Sequence, residues 1–168
     1  MPTEKELDRA LHESLEHDQA FRAWFVRQLS KGLNYPDFVS CRSDHPWGKV
    51  RAILADPTSG ALRAQAMESE TDVLLILTNS EGAHLGVHIE NKKLGGSFTD
   101  NQPELYAARA EAWRGSEHHG SYDEWETVLI APAAFISAYP VDARKFITRV
   151  THEQLADRLP IYAARSAA

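Results

Sequence analysis

A chain of 168 residues, 43% hydrophobic and 25% charged, has the size and composition of one globular domain and is too short for two comfortable ones. Its net charge of −6 argues against a broad basic face for nucleic acid without excluding a narrow basic cleft, and the single Cys41 excludes an internal disulfide and any thiolate-cluster zinc site. No apolar run approaches the ~20 residues of a membrane span, and the opening stretch MPTEKELDRALHESLEHD is densely charged, so neither a membrane span nor a signal peptide is expected and the expected location is cytoplasmic. The basic residues Lys49, Arg51, Lys92, Lys93, Arg144, Lys145 and Arg149 read first as scattered surface charge.

Taken in chain order, residues 3 to 16 are predicted to be helical, with Leu7, Leu11 and Leu15 at helical spacing behind Thr3. Asp18 is the expected cap of a second helix that gathers Phe21, Trp24, Phe25 and Leu29 on one face. Residues 36 to 60 hold three prolines and two glycines and read as loop with one short strand near KVRAIL. From residue 61 the chain leads into an apolar run, Val73 to Leu77, suited to a buried central strand. The turn NSEG and the alternating AHLGVHIENKK predict an antiparallel hairpin over about 72 to 92. A helix capped at Thr99 or Asp100 follows, then a buried strand at EWETVLIAP, a short helical piece at PAAFISAY and a strand at KFITRV. Thr151 and Gln154 open a last helix in a capping-box pattern, and the Ala-rich C-terminal tail is expected to fray. The whole chain, 1–168, is expected to be one domain with a helical N-terminal segment over about 3–31. The alternation of elements predicts a mixed α/β sandwich.

The hairpin brings charges together. With its turn at residues 79 to 82, facing positions sum to roughly 161, which puts Asp72 opposite residue 89 or 90 and about 5 Å from it. Glu90 and Lys92 share one face of the second strand, about 6.5 Å apart by strand rise. Asp72 and Glu90 can therefore share a hard divalent cation, Mg²⁺ or Mn²⁺, with Lys92 beside it. Such an ion acidifies water and polarises a phosphoryl oxygen.

Asp72, seventeen intervening residues and then Glu90-Asn91-Lys92 resemble the PD-(D/E)XK nuclease superfamily, as do SETD before the apolar strand and Gln102, Tyr106 and Arg109 at i, i+4 and i+7 of the next helix. The resemblance spans roughly residues 66 to 131 and implies a restriction-endonuclease-like αβββαβ core, a central mixed sheet flanked by helices, with the helix at 18–30 as the first core helix. It implies Mg²⁺ held by Asp72, Glu90 and the Asn91 carbonyl, Lys92 positioning the attacking water, and Gln102, Tyr106 and Arg109 holding phosphate or bracing the site. Thr71 stands where the family's title motif has proline. Glu13 and Glu16 are candidates for the further acid that many members carry on the first helix, and Glu70 is the alternative.

The expected function is metal-dependent hydrolysis of phosphodiesters, DNA ahead of RNA. The rival is a binding or regulatory module on the same fold, and a homodimer is left open. Ion pairing at a sheet edge would account for the same charges. His118 and His119 read as solvated loop residues, Trp24, Trp47, Trp113 and Trp125 as core or half-core, and His88 as a cleft or sheet-surface residue.

Overall fold

In a computed structural model of the chain, residues 1–163 are described. The Ala-rich tail at 164–168 lies outside them. Two helices come first, α1 (Glu4–His17) and α2 (Gln19–Gln28). Thr3 caps α1 through a reciprocal box with Glu6, and Asp18 caps α2 by accepting the Phe21 N–H, which removes donors that a helix start otherwise leaves open.

Seven strands follow: β1 (Asp37–Arg42), β2 (Trp47–Ala55), β3 (Leu62–Glu70), β4 (Val73–Thr78), β5 (His84–Asn91), β6 (Glu124–Ala131) and β7 (Thr148–Thr151). Between β5 and β6 lies α3 (Gln102–Ala112); α4 (Ala133–Ala138) and α5 (Pro140–Ala143) separate β6 from β7; α6 (His152–Ala156) follows β7. The main sheet runs β1-β4-β5-β6-β7. Its β1–β4 and β4–β5 pairs are antiparallel, and its β5–β6 and β6–β7 pairs are parallel. The chain is thus a mixed α/β fold, and α1, β1, β4, β5, α3 and β6 occur in the order αβββαβ. Among the described residues no helix is long and apolar enough to cross a membrane.

Residues 36–60, expected to be mostly loop, hold β1 and β2, and β3 precedes the apolar strand. β2 and β3 form a separate two-stranded sheet. Its turn is built by Asp56, whose Oδ1 accepts the N–H groups of Thr58 and Ser59 at 2.9 Å each. Val50, Ala52 and Leu54 on one face of this hairpin pack with Leu105 of α3. That packing keeps the Ala- and Glu-rich β3 extended, against its weak intrinsic preference for strand.

Alternation along β4, β5 and β6 splits the main sheet into two faces. Val73, Leu75, Val87, Ile89 and Val128 pack with Leu11 and Phe25 of the first two helices. Leu74 and Ile76 pack with Trp113 and Tyr122 on the side of α3. Here Gly86 is required: a Cβ at that position would lie 2.4 Å from the Tyr122 ring. Because hydrogen bonds to His88 and Ala110 fix the Tyr122 hydroxyl, the ring has little room to yield. Gly86→Ala is expected to destabilise the fold by about 1–3 kcal/mol through overpacking, read as a lower midpoint in urea at unchanged slope. An unchanged midpoint would mean that Tyr122 moves freely.

Candidate metal centre

Register settles the first question about the charges. Val73 faces Ile89, so facing positions sum to 162 and Asp72 lies across from Glu90, within one residue of the spacing predicted from the turn. Asp72 stands just ahead of β4 and Glu90 near the end of β5. Lys92 follows β5, and its Nζ is 2.6 Å from Glu90 Oε1.

The supporting shell comes from α3. Gln102 Nε2 donates to Glu90 Oε1 at 2.8 Å, and its Oε1 accepts the Thr99 N–H at 3.2 Å. The helix cap is Asn101, in the left-handed region, rather than Thr99 or Asp100. The Tyr106 hydroxyl accepts the Asp72 N–H at 3.2 Å and donates to the Ile89 carbonyl at 3.3 Å, clamping β4 to β5 beside the carboxylates. Arg109 Nε donates to Thr71 Oγ1 at 2.7 Å. Tyr106 and Arg109 are 1% and 0% exposed, so of the two roles considered for them, bracing fits and direct phosphate contact does not.

Behind Arg109 runs a buried polar chain. Tyr122 donates to the Ala110 carbonyl at 2.5 Å, so its oxygen is free to accept from His88 Nε2 at 3.0 Å; His88 Nδ1 then accepts from the Thr71 hydroxyl at 2.9 Å. This tautomer follows from the network of donors and acceptors. It is consistent with burial holding the His88 pKa well below its ordinary value. His88 braces the sheet and does not line an open cleft. His119 stacks on Trp113 at 3.7 Å and is buried, unlike the solvated residue expected, whereas Trp47 is exposed.

Two residues that the sequence did not single out complete the site. Asp8 of α1 is 1% exposed; its Oδ1 accepts from Asn91 Nδ2 at 2.7 Å, and its Oδ2 lies 3.0 Å from His45 Nε2. His45, between β1 and β2, has φ 52°, in the left-handed region uncommon for residues other than glycine. Its Nδ1 is 3.4 Å from Glu70 Oε1 and 3.8 Å from Asp72 Oδ1. One ligand atom from each of Asp8, His45 and Asp72 lies within 4.8 Å of the others. Asn91 ties the carboxylates together: its backbone N–H donates to Asp72 Oδ2 at 3.0 Å, its side chain to Asp8, and its Oδ1 accepts from Tyr162 at 3.0 Å.

The acid that α1 brings beside Asp72 is Asp8, not Glu13 or Glu16. Asp8 falls at i, i+3 and i+7 with Leu11 and Leu15, on the buried stripe of α1. Glu13 and Glu16 lie off that stripe and pair on the surface with Arg9 and His12. Glu70 is likewise peripheral: exposed at the end of β3, it reaches His45 alone among the site residues.

The buried carboxylates of the cluster perturb one another. Burial, then the charges of Glu90 and Asp8, raise the Asp72 pKa well above the usual carboxylate range. Burial pushes Asp8 up to about 6 against the opposing effects of Asn91 and His45. Glu126, another fully buried carboxylate, shows what a structural acid looks like here: it accepts from the Ser30 and Lys31 N–H groups and from Thr148. Glu90 is 2% exposed, yet its Oε2 has no hydrogen-bond partner. Asp8, Asp72 and His45 offer ligand atoms close enough to hold one divalent cation, and the unpartnered Glu90 Oε2 lies on the same cluster of buried carboxylates.

Compared with protein-family models, curated proteins and solved structures, the chain gives no match.

Proposed function

We propose that this chain is a divalent-metal-dependent phosphodiesterase of the PD-(D/E)XK kind acting on nucleic acid, DNA ahead of RNA. The observation that carries the reading is the convergence of Asp8, Asp72 and Glu90 with an unpartnered Glu90 Oε2 and Lys92 Nζ 2.6 Å from Oε1. The preference for DNA rests on the sequence resemblance alone, and fold supports function only by analogy.

A bound Mg²⁺ or Mn²⁺ would acidify a water and polarise a phosphoryl oxygen. Asp8, Asp72 and Glu90 would hold the ion, with His45 as a nitrogen donor. Lys92 Nζ, kept in place by Glu90 and 5.7 Å above the Phe98 ring, would orient the attacking water and offset charge developing on the phosphorane. Gln102 and Tyr106 fix the carboxylate geometry, and the Arg109–Thr71–His88 chain keeps the approach to β4 from shifting.

A second reading, a catalytically silent binding module on the same fold, is favoured by one observation: Glu90 and Lys92 are buried. The two readings divide on linkage and turnover. A cation that binds the folded protein alone stabilises it by about 2.7 kcal/mol at a hundredfold excess over Kd. Mn²⁺ or Mg²⁺ is expected to raise the melting temperature of the wild type and not of Asp72→Ala, and the wild type is expected to cut at least one of linear, circular or single-stranded DNA. Equal thermal shifts in both proteins place the ion elsewhere. A cation response without cleavage of DNA or RNA selects the module.

A further inference from the structure

The β2–β3 hairpin uses one face and leaves the other bare. Val50, Ala52 and Leu54 of β2 are buried on the side of α3 and Gln65, Met67 and Ser69 of β3 are half-buried, whereas the outer face exposes Trp47 (66%), Ile53 (71%) and Leu62 (73%). Directly paired residues share a face in an antiparallel ladder, so the register also places Lys49 beside Glu68, and Arg51 and Glu70 on the same side. The ion pairs among the described residues leave Lys49, Arg51 and Glu68 without partners. Two cations on β2 and two anions on β3 make this face neutral in a chain of net charge −6.

We propose that this outer face is a self-association surface that docks against the same face of a second copy of the chain. A twofold contact requires a patch complementary to itself. A twofold axis along the hairpin lays β2 of one copy over β3 of the other. Lys49 then meets Glu68 of the second copy and Arg51 lies beside it, twice over, while Ile53 and Leu62 meet Ala64 and Ala55 of the second copy. A nucleic-acid backbone fits less well, because Glu68 and Glu70 would face its phosphates. The nine-residue ribbon is roughly 30 Å long, a small interface, so a weak dimer that dissociates over an accessible range of concentration is expected. Association and not cleavage tests this face, because Glu70 also reaches His45.

The test is sedimentation equilibrium of the full chain across that range of concentration. Wild type is expected to dimerise and Ile53→Glu to remain monomeric. K49E/R51E and E68K/E70K are each expected to be monomeric alone and to form a heterodimer when mixed, which also shows that both variants are folded. The proposal is overturned if wild type is monomeric throughout, if either charge variant self-associates as wild type does, or if the mixture fails to associate. It is equally overturned if K49E/R51E loses DNA binding while dimerising normally, which would assign the face to nucleic acid.

Discussion

On the proposed function, Lys92→Ala is expected to lower cleavage by about 10²- to 10³-fold while leaving cation binding in place, since the loss of one transition-state donor has that effect in well-characterised hydrolases. The geometry sharpens the expectation. Lys92 Nζ contacts Glu90 Oε1 at 2.6 Å with both side chains buried, so removing it leaves Glu90 with Gln102 as its remaining donor. An uncompensated buried carboxylate destabilises strongly. The variant is therefore expected to melt lower than wild type without metal and to gain more from Mn²⁺ than wild type does. Glu90→Ala should lose both cleavage and most of the cation response. If Lys92→Ala cuts as well as wild type, Lys92 is only the structural counter-ion of Glu90, and its catalytic role falls. Lys92→Met, which keeps the side-chain volume, guards against a packing defect being read as a catalytic one.

Legibility of the site in the sequence followed periodicity. Asp72, Glu90 and Lys92 were readable because the apolar run of β4 and the alternating β5 sequence flank the Asn79–Gly82 turn, and a turn fixes a register. Gln102, Tyr106 and Arg109 were readable as one helical face, but their burial was not, so bracing and phosphate contact could not be told apart. Asp8 was hidden next to Leu7 in a stripe that looked purely apolar; an acid on the leucine face of a helix was the available signal. His45 had none, because it lies between Pro36 and Pro46 in a stretch without period, and tertiary contact alone brings it to Asp8.

The same contrast applies to strands. β4 announces itself by its apolar run, whereas LRAQAMESE becomes β3 only because the Asp56 turn folds it back on β2 and α3 covers one side. The overlooked clue was the turn sequence DPTSG after the alternating KVRAILA.

The last expectation concerns Asp8 and pH. Its carboxyl is held up at about 6 in the folded chain against 3.8 for the free group. Between those values the unfolded chain has released the proton that the folded chain keeps, so stability falls as pH rises from about 4 to about 6. His88, His119 and His152 have lowered values, chiefly through burial, and act in the opposite direction: they destabilise as pH falls below the ordinary histidine range. The profile of wild type alone therefore mixes two signs, and the informative quantity is the difference between wild type and Asp8→Asn, in which the contributions of His88, His119 and His152 cancel and the relief of Asp72 from the Asp8 charge adds to the effect with the same sign. Asn keeps an acceptor for Asn91 Nδ2 and cannot ionise. Relative to wild type, Asp8→Asn is expected to gain stability as pH rises from about 4 to about 6. Saturating Mn²⁺ should remove that advantage at neutral pH, because the ion replaces the proton at the carboxylates and binds the variant more weakly. Urea unfolding at several pH values with and without Mn²⁺ measures both effects. A difference independent of pH, or an equal response to Mn²⁺ in the two proteins, would remove Asp8 from the metal centre.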